Sequence, residues 1–166
     1  METQEKIESL EVNERIVESN EDPLSKTELA LRKMSEGYNC AQSVVAAFAK
    51  DVGSDMSTAL KTAGVFGGGL AHHGHVCGAV SGALMIIGMK YNGVGTDYTS
   101  REYAFLIGSA LIEEFETRHQ TIDCRQLTGC DISTSEGLKK FKDSGIYNNV
   151  CPQWIKEAAE ILETLL

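Results

Sequence analysis

Proline is nearly missing from this chain: only Pro23 and Pro152 occur in 166 residues. Almost no segment is therefore barred from a helix, whose interior a proline destabilises by about 3 kcal/mol or more. Positive charge is scarce as well, with 15 Lys and Arg against 24 Asp and Glu and a net charge of −9. That balance excludes the basic field a phosphate backbone demands, so nucleic acid is not an expected partner. No apolar run is long enough for a bilayer. The longest, Val76 to Met89, spans fourteen residues broken by Gly78, Gly82 and Gly88, whereas a spanning helix needs about twenty. The opening METQEKIESLEVNE has neither the apolar stretch of a secretory signal nor the basic bias of a transit peptide. A cytoplasmic protein that does not span a membrane is the expectation. Finally, the five cysteines form no CxxC pair and no CxxCH, which excludes covalent haem attachment.

Helical periodicity is present almost throughout. Ser25-Lys26-Thr27-Glu28 is a capping box that opens a helix ending at Gly37. A second helix follows Asn39, with Ala41, Val44, Val45 and Phe48 on one face. A third is predicted from Asp55 to about Val65, and a fourth begins near Cys77. Thr99-Ser100-Arg101-Glu102 reads as another capping box, before a long helix whose Tyr103, Leu106, Ile107, Ala110, Leu111 and Phe115 form its apolar stripe. His119, near its end, complements the helix dipole. Short helical pieces are expected at Cys124–Leu127 and, introduced by Ser133-x-x-Glu136, around Ser135–Lys142. Cys151-Pro152 opens the last helix, with Cys151 as a candidate cap. The fold expected is all-α, a compact bundle of about six to eight helices with a Gly-rich loop before the central one.

Charge divides the chain. Residues 1–22 hold eight acids against Lys6 and Arg15, or −6, while residues 23–166 hold sixteen acids against thirteen bases, or −3. The first part is expected to be an acidic arm, mobile or docked on a partner, and the second a single helical domain.

The stretch GGGLAHHGHVCGAVSGALMIIG, residues 67–88, puts seven glycines and three histidines around Cys77. Glycine costs roughly 0.5–1 kcal/mol relative to alanine in a helix, so close approach of another backbone is the expected return. Gly74, Gly78 and Gly82 recur every four residues beside Ala79 and Ala83, making one smooth face. Close packing there would bring other helix ends, with their sulfurs, up to Cys77. Gly78, Ala79 and Gly82 are also the candidates for contact with a bound group, and the same face leaves room for a homodimer. A phosphate loop is excluded, because His75 and Val76 stand where Lys and Ser or Thr belong. His72, His73 and His75 are side candidates for metal ligation.

Four of the five cysteines fall at predicted helix starts. Cys40 follows Asn39, Cys77 ends the Gly-rich loop, Cys124 follows Asp123, and Cys151 precedes Pro152. A helix N-terminus offers unpaired N–H groups and about half a positive charge, which favours thiolate over thiol. Lowered pKa values are the expectation at all four.

The motifs resemble those of one family. Tyr38-Asn39-Cys40-Ala41-Gln42, the Gly67-Gly68-Gly69 turn, Cys77-Gly78-Ala79-Val80-Ser81-Gly82, Cys124 and Cys151 are similar to the redox-active proteins named for the pattern C_GCAxxG_C_C. The resemblance runs over residues 25–166 and implies four functional cysteines: Cys40, Cys77, Cys124 and Cys151. Cys130 and the three histidines stand outside the pattern.

Two chemistries follow from four such sulfurs. In the first, thiol–disulfide exchange with an unnamed redox partner, Cys77 attacks from its open loop and Cys40 resolves. In the second, Cys40, Cys77, Cys124 and Cys151 ligate an iron–sulfur cluster or, behind it, zinc. A helical interaction module with inert cysteines is the third reading.

Overall fold

The computed structural model describes residues 24–166, and the acidic arm lies outside the described residues. The helices are α1 (Lys26–Ser35), α2 (Cys40–Phe48), α3 (Met56–Ala63), α4 (Gly78–Tyr91), α5 (Tyr98–His119), α6 (Cys124–Thr128), α7 (Ser135–Asp143), α8 (Ile146–Asn149) and α9 (Cys151–Leu165). Among the described residues there is no strand, and a single antiparallel bridge joins Val76 to Asp123. The fold is all-α, as its periodicity predicts. Two of the helices, α6 and α8, have only five and four residues.

Local chemistry sets most of the helix starts. The Ser25 hydroxyl accepts from the Glu28 N–H, and the Glu28 carboxylate accepts from the Ser25 N–H, closing the expected box. Asn39 and Gln42 close a second one at α2. Asp55 caps α3 through the Thr58 N–H, and Asp123 caps α6 through the Gln126 N–H. Two starts differ from expectation. Asp97 caps α5, accepting from the N–H groups of Thr99 and Ser100, and Thr134 caps α7 through the Gly137 N–H. In both places a neighbouring side chain reaches the first free N–H groups before the predicted one.

The core is centred on α2 against α4. There is no room for a side chain between them: a Cβ on Gly82 would lie 2.6 Å from the Ala41 carbonyl oxygen. The Gly/Ala face of α4 is therefore covered by α2 and leaves no surface there for a second copy. Helices α1 and α9 flank α2, and α9 also packs on α4 and α5. Val44, Phe48, Ile86, Leu111, Phe115 and Ile155 are each at most 1% exposed, and each full burial contributes about 1.5–3 kcal/mol.

The long helix α5 buries only part of the stripe its apolar pattern predicts: Leu111 and Phe115 lie in the core, Tyr103 and Leu106 do not. Ala104, Gly108, Leu111 and Phe115 are buried, while Tyr103, Phe105 and Leu106 are 50%, 65% and 64% exposed. The small residues go inward because Leu84 of α4 comes within 3.2 Å of where a Gly108 Cβ would stand. His119 sits in the last turn of α5, its ring 4.7 Å from that of Phe115 and 4.9 Å from that of Trp154. No helix among the described residues is long and apolar enough to cross a membrane.

Candidate functional site

Four sulfur-bearing residues do stand at helix starts. Cys40, Cys124 and Cys151 are the first residues of α2, α6 and α9, and Cys77 is the N-cap of α4. At α9 the cap is Val150 rather than Cys151, and no side chain closes it.

Three packing devices bring these starts together. The Val76–Asp123 bridge places the approaches to α4 and α6 side by side: the Cys77 N–H donates to the Ile122 carbonyl at 2.7 Å, and the Cys124 N–H donates to that of His75 at 2.6 Å. The missing Cβ of Gly78 then lets α2 close in, since it would lie 3.1 Å from the Cys40 Cβ. The Gly-rich loop folds over both. A Cβ on Gly67 would meet the Asn39 side chain at 2.7 Å, and one on Gly69 would meet the Cys124 Cβ at 2.7 Å. Asn39 is held on its other side by a hydrogen bond from its Nδ2 to the Gly64 carbonyl, 2.9 Å. Close approach of sulfur-bearing helix ends is thus what these glycines provide.

The loop itself is unusual. Gly68, Gly69, Leu70, Ala71 and His72 have φ of 62, 65, 62, 49 and 65°, one continuous left-handed turn. For each of the three non-glycine residues that costs roughly 1–2 kcal/mol. Hydrogen bonds from the N–H groups of Ala71, Gly74 and His75 to the carbonyls of Val65, Gly68 and Gly69 hold it. Strain of this kind persists where the surroundings over-determine it, commonly at functional sites.

Beneath the loop lies a cavity of about 350 Å³. Cys40, Cys124, Cys151, His72, Phe141 and Tyr147 line it together with loop backbone. Cys77 does not reach it and is 3% exposed, so the loop gives no access to that thiol. The Tyr147 hydroxyl donates to the Tyr38 carbonyl at 2.7 Å, tying α8 to the chain before α2. His72 projects over the cavity, and the absence of a Gly68 side chain makes room for its ring. His73 and His75 stack on each other instead, 6.1 Å between ring centres.

The four pattern thiols form one electrostatic group. The Cys40 and Cys151 thiols are near neighbours. The Cys151 thiol first, then burial and the charge Cys151 would carry, hold the Cys40 thiol well above its ordinary pKa. Burial first, then Cys40, pushes Cys77 up to about 12, although the N–H groups of Ala79 and Val80 act the other way. They fall short of a capping hydrogen bond to its sulfur. Burial, Cys77, Cys40 and Asp123 in that order push Cys124 up to about 12. Even Tyr147 responds, raised to about 12 by burial and by Cys40 and Cys151. The lowered pKa values expected at helix N-termini are therefore not found at Cys40, Cys77 or Cys124. Desolvation and mutual repulsion outweigh the peptide dipoles, which are worth only about 0.3–2 kcal/mol. All five cysteines are free thiols in this structure.

Other expectations separate here. Cys130 is buried in a small satellite cluster with Cys124 and Ile132, away from the cavity wall. Gly78, Ala79 and Gly82 are buried in the core between α2 and α4 and do not line the cavity. Tyr147 and Phe141, which do, carry no sequence signal beyond ordinary amphipathic spacing. Among the described residues, no three His, Cys, Asp or Glu side chains converge closely enough to hold one metal ion.

No curated protein and no solved structure matches the chain. One family model does, that of the "Putative redox-active protein (C_GCAxxG_C_C)", over residues 38–165. That span starts at the Tyr38 carbonyl anchor, ends with α9 and contains all four helix-start cysteines, so the chain belongs to the C_GCAxxG_C_C family of redox-active proteins.

Proposed function

We propose that the domain acts by thiol–disulfide chemistry, with Cys40 and Cys151 as its two-electron couple. The observation that carries this is the placement of the two neighbouring thiols in the wall of one cavity. Cys151 attacks from the first turn of the fifteen-residue α9, where a helix start favours negative charge, with the Cys40 thiol beside it. Cys40 then resolves. The Sγ–Sγ bond forms as both S–H bonds are lost, and two electrons and two protons pass to the acceptor. Cys77 and Cys124 serve as buried neutral neighbours whose proximity tunes the pair. Mild oxidation of the reduced full-length chain followed by peptide mapping tests this. Linked Cys40 and Cys151 peptides are expected, and any other dominant pairing contradicts it.

A second reading keeps the sulfurs as ligands. The electrostatic grouping of all four, with a cavity between three of them, favours an iron–sulfur cluster over a single zinc ion. Zinc needs ligands drawn within about 2.3 Å of one point, and no such convergence exists among the described residues. Iron and acid-labile sulfide in protein purified without oxygen, bound in stoichiometric amount and lost in a Cys124→Ser variant, would establish this reading.

A further inference from the structure

We infer that the cavity selects a small, uncharged two-electron oxidant, a neutral low-molecular-weight disulfide or hydroperoxide, and rejects charged disulfides and those carried by proteins. The inference rests on the thiol–disulfide reading above and names the substrate class for that site.

Access sets the size. Cys40, Cys124 and Cys151 are 9%, 7% and 4% exposed, and the cavity they line is the route to their sulfurs in this proposal. Its volume of about 350 Å³ is at the low end of small-molecule sites, about 300–1,000 Å³. A disulfide embedded in a folded protein cannot bring its sulfur to either thiol without carrying main chain into that space.

The wall sets the charge. No Lys, Arg, Asp or Glu lines the cavity. Its polar groups are largely committed already. The Asn39 amide oxygen accepts from the Gln42 N–H and its nitrogen donates to Gly64, while the Tyr147 hydroxyl donates to Tyr38. An oxidant bearing carboxylates or ammonium groups would have to shed water with no Lys, Arg, Asp or Glu to pair its charge and only the exposed His72 ring to meet it, which costs several kcal/mol. A neutral disulfide or peroxide enters without that loss.

The chemistry balances for both members of the class. With a disulfide R–S–S–R, the Cys151 sulfur displaces one RS⁻, and Cys40 then displaces the second, so two R–SH leave and the Cys40–Cys151 bond remains. With a hydroperoxide ROOH, the Cys151 sulfur takes the terminal oxygen and ROH leaves. Cys40 then closes the disulfide and water leaves.

The test uses the reduced full-length protein with small disulfides of three charges: bis(2-hydroxyethyl) disulfide, dithiodiglycolate and cystamine. Glutathione disulfide and an oxidised thioredoxin-type protein extend the size range, and hydrogen peroxide represents the peroxides. Each rate of Cys40–Cys151 formation is divided by that reagent's rate with the denatured chain. The normalised rate for bis(2-hydroxyethyl) disulfide is expected to exceed those of the charged and larger disulfides at least tenfold, and hydrogen peroxide to behave like the neutral disulfide. Equal normalised rates, or faster oxidation by glutathione or the protein disulfide, would overturn the substrate class and leave the thiol couple standing. Failure of every reagent to link Cys40 to Cys151 would remove the couple itself, and the inference with it.

Discussion

Cys40 and Cys151 open two different helices, α2 and α9, yet their thiols are neighbours in the wall of one cavity. Each helix is built by unrelated local signals, an Asn-Gln capping box in one case and a proline near the first turn in the other. Only the packing of α1, α2 and α9 around the core makes them neighbours.

The division of labour within the pair predicts an asymmetry. If Cys151 attacks and Cys40 resolves, Cys40→Ser should accumulate a mixed disulfide on Cys151 with bis(2-hydroxyethyl) disulfide. Cys151→Ser should accumulate less, because burial alone still disfavours the Cys40 thiolate. Intact mass measured during the reaction reads both outcomes. Cys130→Ala should leave Cys40–Cys151 formation within about twofold of wild type, a ratio worth roughly 0.4 kcal/mol, since Cys130 lies off the cavity wall.

Raised thiol pKa values predict how reactivity and stability vary with pH. Alkylation of Cys124, which lines the cavity, should rise about tenfold per pH unit from neutrality with no levelling off while the chain stays folded, since its thiol is pushed up to about 12. In the denatured chain the same cysteine should level off near its ordinary value of 9.0. The fold favours the neutral thiols, so their contribution to stability is complete below about pH 9 and is lost as pH rises toward 12. Denaturant midpoints measured from pH 7 to 11 should fall only above pH 9.

Close approach of α2 and α4 predicts opposite effects for three alanine substitutions in one helix. Gly82→Ala would put a Cβ 2.6 Å from the Ala41 carbonyl oxygen, and Gly78→Ala one 3.0 Å from that of Phe66. Both abut backbone that cannot step aside, so each should destabilise by about 1–3 kcal/mol. Gly88→Ala meets nothing within 4 Å and should stabilise by about 0.4–1 kcal/mol. Urea unfolding of the three variants measures the contrast.

The Asn39 side chain joins the α2 start to the end of α3 through two hydrogen bonds. Asn39→Ala should cost about 1–2 kcal/mol and loosen Cys40 from the cavity wall. Faster alkylation of Cys40 in this variant than in wild type is the expected readout.

Helix starts were the most legible part of the molecule, because Asn39, Asp55 and Asp123 act within their own turn. Gathering of sulfurs at those starts could therefore be anticipated, as could the glycines at the contact between α4 and α2. The left-handed run through Leu70, Ala71 and His72 could not, since none of these residues favours positive φ and only the surrounding contacts impose it. The buried face of α5 is legible only in part. Apolar periodicity marks Leu111 and Phe115 correctly, but the closeness of α4 brings Ala104 and Gly108 inward in place of Tyr103 and Leu106. The direction of the thiol pKa shifts was also hidden, because the dipole at a helix start is visible in sequence while the depth of burial is not. Cys77 looked like the exposed thiol for the same reason, and it is among the most deeply enclosed.

Equilibrium redox titration of the full-length chain in a thiol buffer, with each cysteine followed by differential alkylation, addresses the central claim most directly. The account predicts that Cys40 and Cys151 become protected together in one two-electron transition, while Cys77, Cys124 and Cys130 stay alkylatable once the protein is denatured. Loss of Cys40 and Cys151 at different potentials, or pairing of either with another cysteine, would contradict it.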